Sequence, residues 1–283
     1  MRTVICHFFN EAYLLPWWLK HHLALFDHGV MIDHGSTDAS ADIVREMAPN
    51  WRLVRSRLTH FDAYLTDFEV MGYEQELPGW KMVVNVTEFV MPTVSLDNIE
   101  RELTRNGRVG CAASGMVMVD HQPEAPPAAS RSLPAQKHWG VDDNAELQSD
   151  LRLARGQSLY PSRNRFFHSC EVGMYQPGRH TSFHPDSSFR LASLMVFYFG
   201  YAPWNEDTVR RKTQIAAKLS PEDVQRGWGL QHLKKTEELQ RDYELIRASA
   251  TDLKLNLQAS RAIAHASAMW SAPRNSNRRS GPQ

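Results

Sequence analysis

The stretch Thr3 to Asp33, TVICHFFNEAYLLPWWLKHHLALFDHGVMID, decides how the rest of the chain is read. TVICHFF is an apolar run of strand length, suited to a strand buried on both faces. From Glu11 to Phe26 apolar residues return at helical spacing, and Pro16 sits where only the first turn of a helix tolerates it. HGVMID is a second apolar run, and it stops in the turn-forming DHGSTDAS. Strand, helix, strand in this compass is a βαβ unit, which implies a parallel pair.

The pattern continues outward. Ser36, Thr37 and Asp38 offer N-caps for a helix ASADIVREMA. WRLVRS reads as a third strand, DAYLTDFEVMGYEQEL as a helix and WKMVVNV as a fourth strand. A helix near Leu96 to Arg105 and a strand VGCAASGMVMV complete the series. Strands alternating with helices predict an α/β fold, a Rossmann-like, mostly parallel sheet flanked by helices. Such sheets bind ligands beyond the carboxyl ends of their strands. Asn10-Glu11, Asp33 to Asp38 and Asn85 to Glu88 all fall at such ends.

The second half changes character. Asp120 to Ser158 is rich in Pro, Ala and Ser and reads as a long loop. A polar block, YPSRNRFFHSCEVGMYQPGRHTSFHP, follows, and its QPGR suits a hairpin turn. Helices are expected from Asn205, from SPED, where Ser220 can cap and Pro221 can start, and over Leu233 to Ala250. These features divide the chain into a domain over residues 1–200, a helical extension over 201–268 and a polar tail over 269–283, read as disordered.

The 32 Lys and Arg balance the 32 Asp and Glu, which argues against nucleic acid as a partner. Cys6, Cys111 and Cys170 show neither a disulfide framework nor zinc spacing, which fits a reducing cytoplasm. The amino-terminal residues turn polar after about eight positions, too soon for a signal peptide. The longest apolar stretch, Leu191 to Pro203, is shorter than the roughly 20 residues a membrane-spanning helix needs. A soluble protein is expected, with peripheral contact at the inner membrane face as a second location. Thirteen histidines raise the idea of a metal hydrolase, but no His-x-x-x-His helix supports it.

Several residues could do chemistry. Asp33, on a strand end before Gly35, can accept hydrogen bonds from a ribose or base, and the glycine lets the backbone approach. The competing reading is a helix-capping turn that binds nothing. Arg163, Arg165, His168, Glu171, Tyr175, Arg179 and His180 fall within eighteen positions, either as a diphosphate and acceptor site or as solvated charges on a hairpin. Trp17, Trp18, Leu19 and Leu23 read as the core face of the first helix. His21 and His22 read as partly exposed or capped core histidines rather than ligands.

FFNEAYLLPWWLKHHLALFDHGVMIDHGSTDAS resembles the opening of family 2-like glycosyltransferases of GT-A fold. That family follows its fourth strand with Asp-x-Asp-Glu-Phe, where this chain has Asn85-Val-Thr87-Glu88-Phe89. GMYQPGRH and APWNEDTVRRKTQIAAKLSPEDVQRGWGLQH are similar to the tail of one bacterial subgroup. The resemblance implies a UDP- or GDP-sugar donor and inverting, hexosyltransferase-like transfer to a hydroxyl. The acceptor is a glycan, a lipid-linked sugar or a small molecule. Asn10, Glu11, Asp33, Gly35, Ser36 and Asp38, with Arg163, Arg165 and Arg179, would bind the nucleotide-sugar. Asn85, Thr87 and Glu88 would hold a divalent cation, Mn2+ or Mg2+.

With Asn85 and Thr87 in place of aspartates, one carboxylate remains for a hard cation that prefers anionic oxygens. Three outcomes follow: a weakly held metal, arginines in the metal's place, or a nucleotide-sugar-binding pseudoenzyme. Asp120 at a strand end is the candidate base for the acceptor proton, with His121 and Glu171 as alternatives. His180 is the second candidate catalytic residue, as a metal ligand.

Overall fold

The alternation expected of the first half is found. In a computed structural model, whose described residues are 1–142 and 163–272, β1 (Arg2–Phe8), β2 (His28–Asp33), β3 (Arg52–Arg55) and β4 (Trp80–Val83) are strands. They are joined by α1 (Leu15–Leu25), α2 (Ser40–Met47) and α3 (Ala63–Gln75) and lie parallel in the order β4-β1-β2-β3. Pro16 occupies the first turn of α1. Asp62 caps α3 by accepting from the Leu65 amide at 2.9 Å. At α2 the expected cap differs, because Asp38 accepts instead from the Ser40 amide while Ser36 and Thr37 bond to Asn10.

Beyond β4 the sheet becomes mixed. After α4 (Leu96–Arg105) the long strand β6 (Gly110–Val119) does not join β4 directly, because β8 (Arg165–His168) is inserted antiparallel between them. On its other side β6 carries β7 (Trp139–Asp142), and β10 (Thr251–Asp252) forms the edge. Strand β5 (Glu88–Pro92) pairs antiparallel with β9 (Arg190–Tyr201), which runs parallel to β6. The expected apolar stretch Leu191 to Pro203 is thus mostly strand β9, and no helix among the described residues is long and apolar enough to cross a membrane.

Two expectations change. The stretch read as a loop from Asp120 contains a short helix, α5 (Leu133–Gln136), and strand β7, while residues 143–158 of it lie outside the described residues. After α6 (Glu206–Thr213), α7 (Pro221–Gln225) and α8 (Thr236–Ser249), helix α9 (Leu257–Ser271) runs past the expected start of the tail. Its small apolar face, Ala259, Ala262, Ile263 and Ala266, packs into the main core. The Trp270 indole continues the docking with a 2.8 Å bond to the Ser130 carbonyl. Positions 269–271 are therefore helix; 273–283 are outside the described residues.

The core forms around α1. Trp18 is fully buried and its indole donates to the carbonyls of Asn85 and Glu88 at 3.1 and 2.9 Å, so the first helix pins the turn after β4. His21 and His22 are buried core histidines, bonded to the carbonyls of Val90 and Trp18. Burial pushes the Cys111 thiol up to about 12, as befits an inert core residue.

Candidate active site

The register places three strand ends at one sheet edge. Phe8 of β1 stands opposite Asp33 of β2, and Ile5 of β1 opposite Val83 of β4, so Asn85 lies about level with His7. Adjacent strands are about 5 Å apart, which puts the Asp33 and Asn85 backbones about 10 Å from each other across β1. The ends of β1 and β2 are stitched together at once. Asn10, held at a left-handed φ of 50°, donates its amide to Ser36 Oγ at 3.0 Å and accepts the Thr37 amide at 2.7 Å. Asp33 accepts the Ser36 amide at 2.8 Å, and Asp38 the Ala12 amide at 3.1 Å. Gly35, with φ 76°, makes the turn. The expected nucleotide residues on these two loops are therefore neighbours, and their mutual bonds preorganise the loop pair.

Glu11 stands apart electrically. Its carboxylate has one oxygen without a hydrogen bond, 3.6 Å from Arg211, and burial raises its pKa to about 7 against the pull of that guanidinium. Behind β2, His34 stacks on Phe61 at 4.0 Å and approaches His7 at 3.3 Å, with His7 in turn 3.6 Å from Glu69.

The expected metal position is filled by protein. Glu88 is fully buried, and both its oxygens bond to Arg165, at 2.7 and 2.6 Å. One of them also accepts the Asn85 amide at 2.8 Å. The Asn85 side-chain oxygen accepts from Arg179, and the Thr87 carbonyl from the Phe199 amide. Among the described residues no group of three His, Cys, Asp or Glu could hold a metal ion. The expected cation site at Asn85, Thr87 and Glu88 is thus corrected: a desolvated carboxylate needs a counter-charge, and Arg165 supplies it.

The same bonds remove two of the expected phosphate-binding arginines. Arg165, 1 % exposed, is held by Glu88 and the Gly178 carbonyl. Arg179 is buried against Asp67 and bonds to Asn85. The hairpin reading of QPGR holds, since the Arg179 amide donates to the Gln176 carbonyl at 2.8 Å, but its arginine is not solvated. His168 and Tyr175 belong to a buried network on Glu74 that fastens this hairpin to α3.

Asp120, the candidate base, is held by protein partners in this arrangement. It is 1 % exposed, one oxygen accepting from Lys137 Nζ at 2.7 Å and the Gln122 amide at 3.1 Å, the other from the Trp204 amide at 3.0 Å. It joins the end of β6 to the start of the helical segment. Of the alternatives, His121 stacks on Trp139 at 3.9 Å and Glu171 is exposed. His180 sits 3.2 Å from Arg163, and burial together with Arg165, Arg163 and Arg179 holds its pKa well below the usual value. Among the described residues His180 belongs to no group of three His, Cys, Asp or Glu that could hold a metal.

The structure adds residues the sequence reading passed over. Tyr198 lies directly opposite Glu88 in the β5–β9 ladder. Arg163 stacks over its ring at 4.1 Å. Burial raises the phenol's pKa, but Lys212, Arg163 and Arg211 outweigh it and the net shift is downward. Lys212 is itself lowered to about 8, by burial and by Arg211 and Arg163. His232 is brought to about 4 by burial and the same three cations. The segment bearing Arg211 and Lys212 crosses the strand ends, where Gln214 donates to the Asn10 carbonyl at 3.0 Å and Lys218 to that of His34 at 2.8 Å. The only hint in the sequence was the basic triplet of VRRK on a helix.

No family model matches the chain, and no curated protein matches it. Among solved structures, residues 1–349 of S. aureus TarS share 12 % identity over 95 % of this chain and 90 % of that one, with a TM-score of 0.40. The chain spans 45 % of a longer TarS structure. Glucosyl-3-phosphoglycerate synthase from Mycobacterium tuberculosis, solved with Mn2+, UDP-glucose and phosphoglyceric acid among its complexes, shares 13 % identity over 63 % of this chain and 61 % of its own, with a TM-score of 0.34. The chain is similar to GT-A-type glycosyltransferases. At these values the functional reading rests on the site.

Proposed function

We propose that this protein is a glycosyltransferase that moves a sugar from a nucleotide-diphosphate donor to a hydroxyl acceptor, with inversion. The observation that carries the reading is the meeting of the β1, β2 and β4 ends with the segment bearing Arg211, Lys212 and Lys218, which crosses them at one edge. Asp33, whose second oxygen is not used in the loop bonds, faces the ribose and base. Arg211 and Lys212 would face the diphosphate. Catalysis of this kind requires the charge that grows on the leaving diphosphate to be stabilised in a site that excludes water. Residues 1–200 would form the donor-binding domain. The helical segment 201–268 contributes Arg211 and Lys212 to it, and its position across the strand ends supports a role in closing the site.

A panel of UDP- and GDP-sugars tested by thermal shift, followed by an assay of nucleotide release, tests the proposal. A donor that binds the native state raises the melting temperature by mass action. Absence of both a shift and release across the panel refutes it. The second reading, a nucleotide-sugar binder without turnover, is favoured by the closed ion pairs at Glu88 and Asp120. A thermal shift without release selects it.

A further inference from the structure

We propose that the protein docks on an anionic lipid surface through the outward face of the first turns of α3, together with the segment that follows α7. Tyr64, Leu65 and Phe68 fall on one face of α3 and are 43, 51 and 62 % exposed. Gly72, one turn further on, continues that face into open space. The Trp228 ring stands edge-on to Tyr64 at 5.1 Å, and Val224 and Leu230, which flank it in the chain, are exposed too. The two pieces are fastened to each other. The Ala63 amide donates to Asp223 at 2.7 Å, Ser220 Oγ donates to Asp62 at 3.3 Å, and Phe61 pairs with Leu219. A single exposed leucine needs no explanation, but aromatic and aliphatic side chains gathered at one place mark a binding face. Because α3 starts beyond the carboxyl end of β3, this face borders the edge that carries the polar loops.

Charge selects the occupant. The connection from Arg52 to His60, RLVRSRLTH, holds three arginines and no acid, and its Arg55 and Arg57 are exposed. Arg226 lies against both rings of the face, 5.9 Å from the centre of Tyr64 and 5.5 Å from that of Trp228, with its side chain half exposed. The neighbouring acids are turned into the protein. Asp62 accepts the Leu65 amide, Asp67 pairs with Arg179, Glu69 accepts from Ser56, Glu74 from Tyr175 and Asp223 from the Ala63 amide. Glu222, and Glu76 in its pair with Arg52, are the exposed exceptions. An apolar face rimmed by cations matches a bilayer with anionic headgroups. The rings and leucine enter the boundary of the acyl chains, while arginine keeps its charge among the phosphates. A glycan offers hydroxyls, and Leu65, Phe68 and Val224 have no side-chain hydrogen bond to give them.

The test is co-sedimentation of the full chain at low salt with two kinds of vesicle, phosphatidylcholine alone and phosphatidylcholine mixed equally with phosphatidylglycerol. No nucleotide is present, so the outcome is separate from the donor reading. The protein should bind the mixed vesicles, and bind phosphatidylcholine alone at least about tenfold more weakly, since each cation near an anionic surface is worth about fivefold. The double variant Leu65→Ser/Phe68→Ser should lose about tenfold or more in affinity, the scale of large apolar side chains left in water. Both side chains are exposed, so its melting temperature should stay that of wild type. Arg226→Gln should weaken binding to the mixed vesicles by about fivefold. Equal binding to both vesicles, binding to neither, or wild-type binding by the double variant overturns the inference. So does a wild-type dimer, seen without vesicles by sedimentation equilibrium, that the double variant abolishes, because the face would then belong to a second copy of this chain.

Discussion

Replacing Glu11 with glutamine should stabilise the protein increasingly as pH rises from about 4.5 to about 7 and leave it almost unchanged below about 4.5. The carboxyl moves from 4.5 in an ordinary setting to about 7 here, chiefly through burial. A folded-state pKa above the unfolded value means that the native protein holds the extra proton between those two pH values. Stability associated with Glu11 is therefore fully present below about 4.5, falls as pH rises and levels off above about 7. The span of 7 − 4.5 = 2.5 units, at 1.36 kcal/mol per unit, corresponds to about 3 kcal/mol. For 283 residues at about 2.1 cal/mol/K each, the unfolding entropy is about 0.6 kcal/mol/K, so the gain is about 5 °C in melting temperature. Glutamine keeps the shape and carries no charge at any pH. Urea unfolding of wild type and Glu11→Gln at pH 5, 6, 7 and 8 isolates this one group, because all other titrations cancel in the difference. A difference that stays flat with pH, or a variant less stable at pH 8, refutes the argument.

Three further outcomes follow from the geometry. Glu88→Gln strips the buried Arg165 of its counter-charge and should cost about 3–5 kcal/mol in urea unfolding, with Glu88→Leu/Arg165→Met recovering most of it; a loss under about 1 kcal/mol would show the pair to be solvated. Asp120→Asn should likewise cost about 3–5 kcal/mol by uncovering Lys137, while donor turnover per folded molecule stays within about threefold. A hundredfold fall in turnover at unchanged stability would return Asp120 to the role of base. Gly29→Ala would place a Cβ 2.2 Å from Trp51 Cε3, with a cost of about 1–3 kcal/mol in melting or urea experiments; an unchanged midpoint would mean that the indole moves aside freely.

Much of the frame was legible in the sequence because its signals are local. The apolar runs of β1 and β2, the amphipathic spacing of α1 and Pro16 at its first turn each involve residues within a few positions of one another. The strand ends at Asn10, Asp33 and Asn85 followed from those runs, and the helix start at Ser220 followed from capping chemistry. What stayed hidden depends on partners far along the chain. Strand β5 is too short to declare itself beside β4, and it exists because β9, a hundred positions onward, supplies its ladder.

The candidate site shows the same division. A carboxylate at Glu88 and arginines at 163, 165 and 179 are plain in the sequence, but a charge looks identical there whether it meets water, substrate or another side chain. Folding places Arg165 on β8, 77 positions from Glu88, and turns an apparent metal ligand into half of a buried ion pair. It lays Arg163 over Tyr198 and Lys212 over Tyr201 on the same strand. The sequence by itself determined the α/β alternation and which edge of the sheet carries the polar loops, because backbone periodicity and turn chemistry are short-range. Only the tertiary structure decided which charges neutralise one another, because electrostatic pairing is a matter of distance in space.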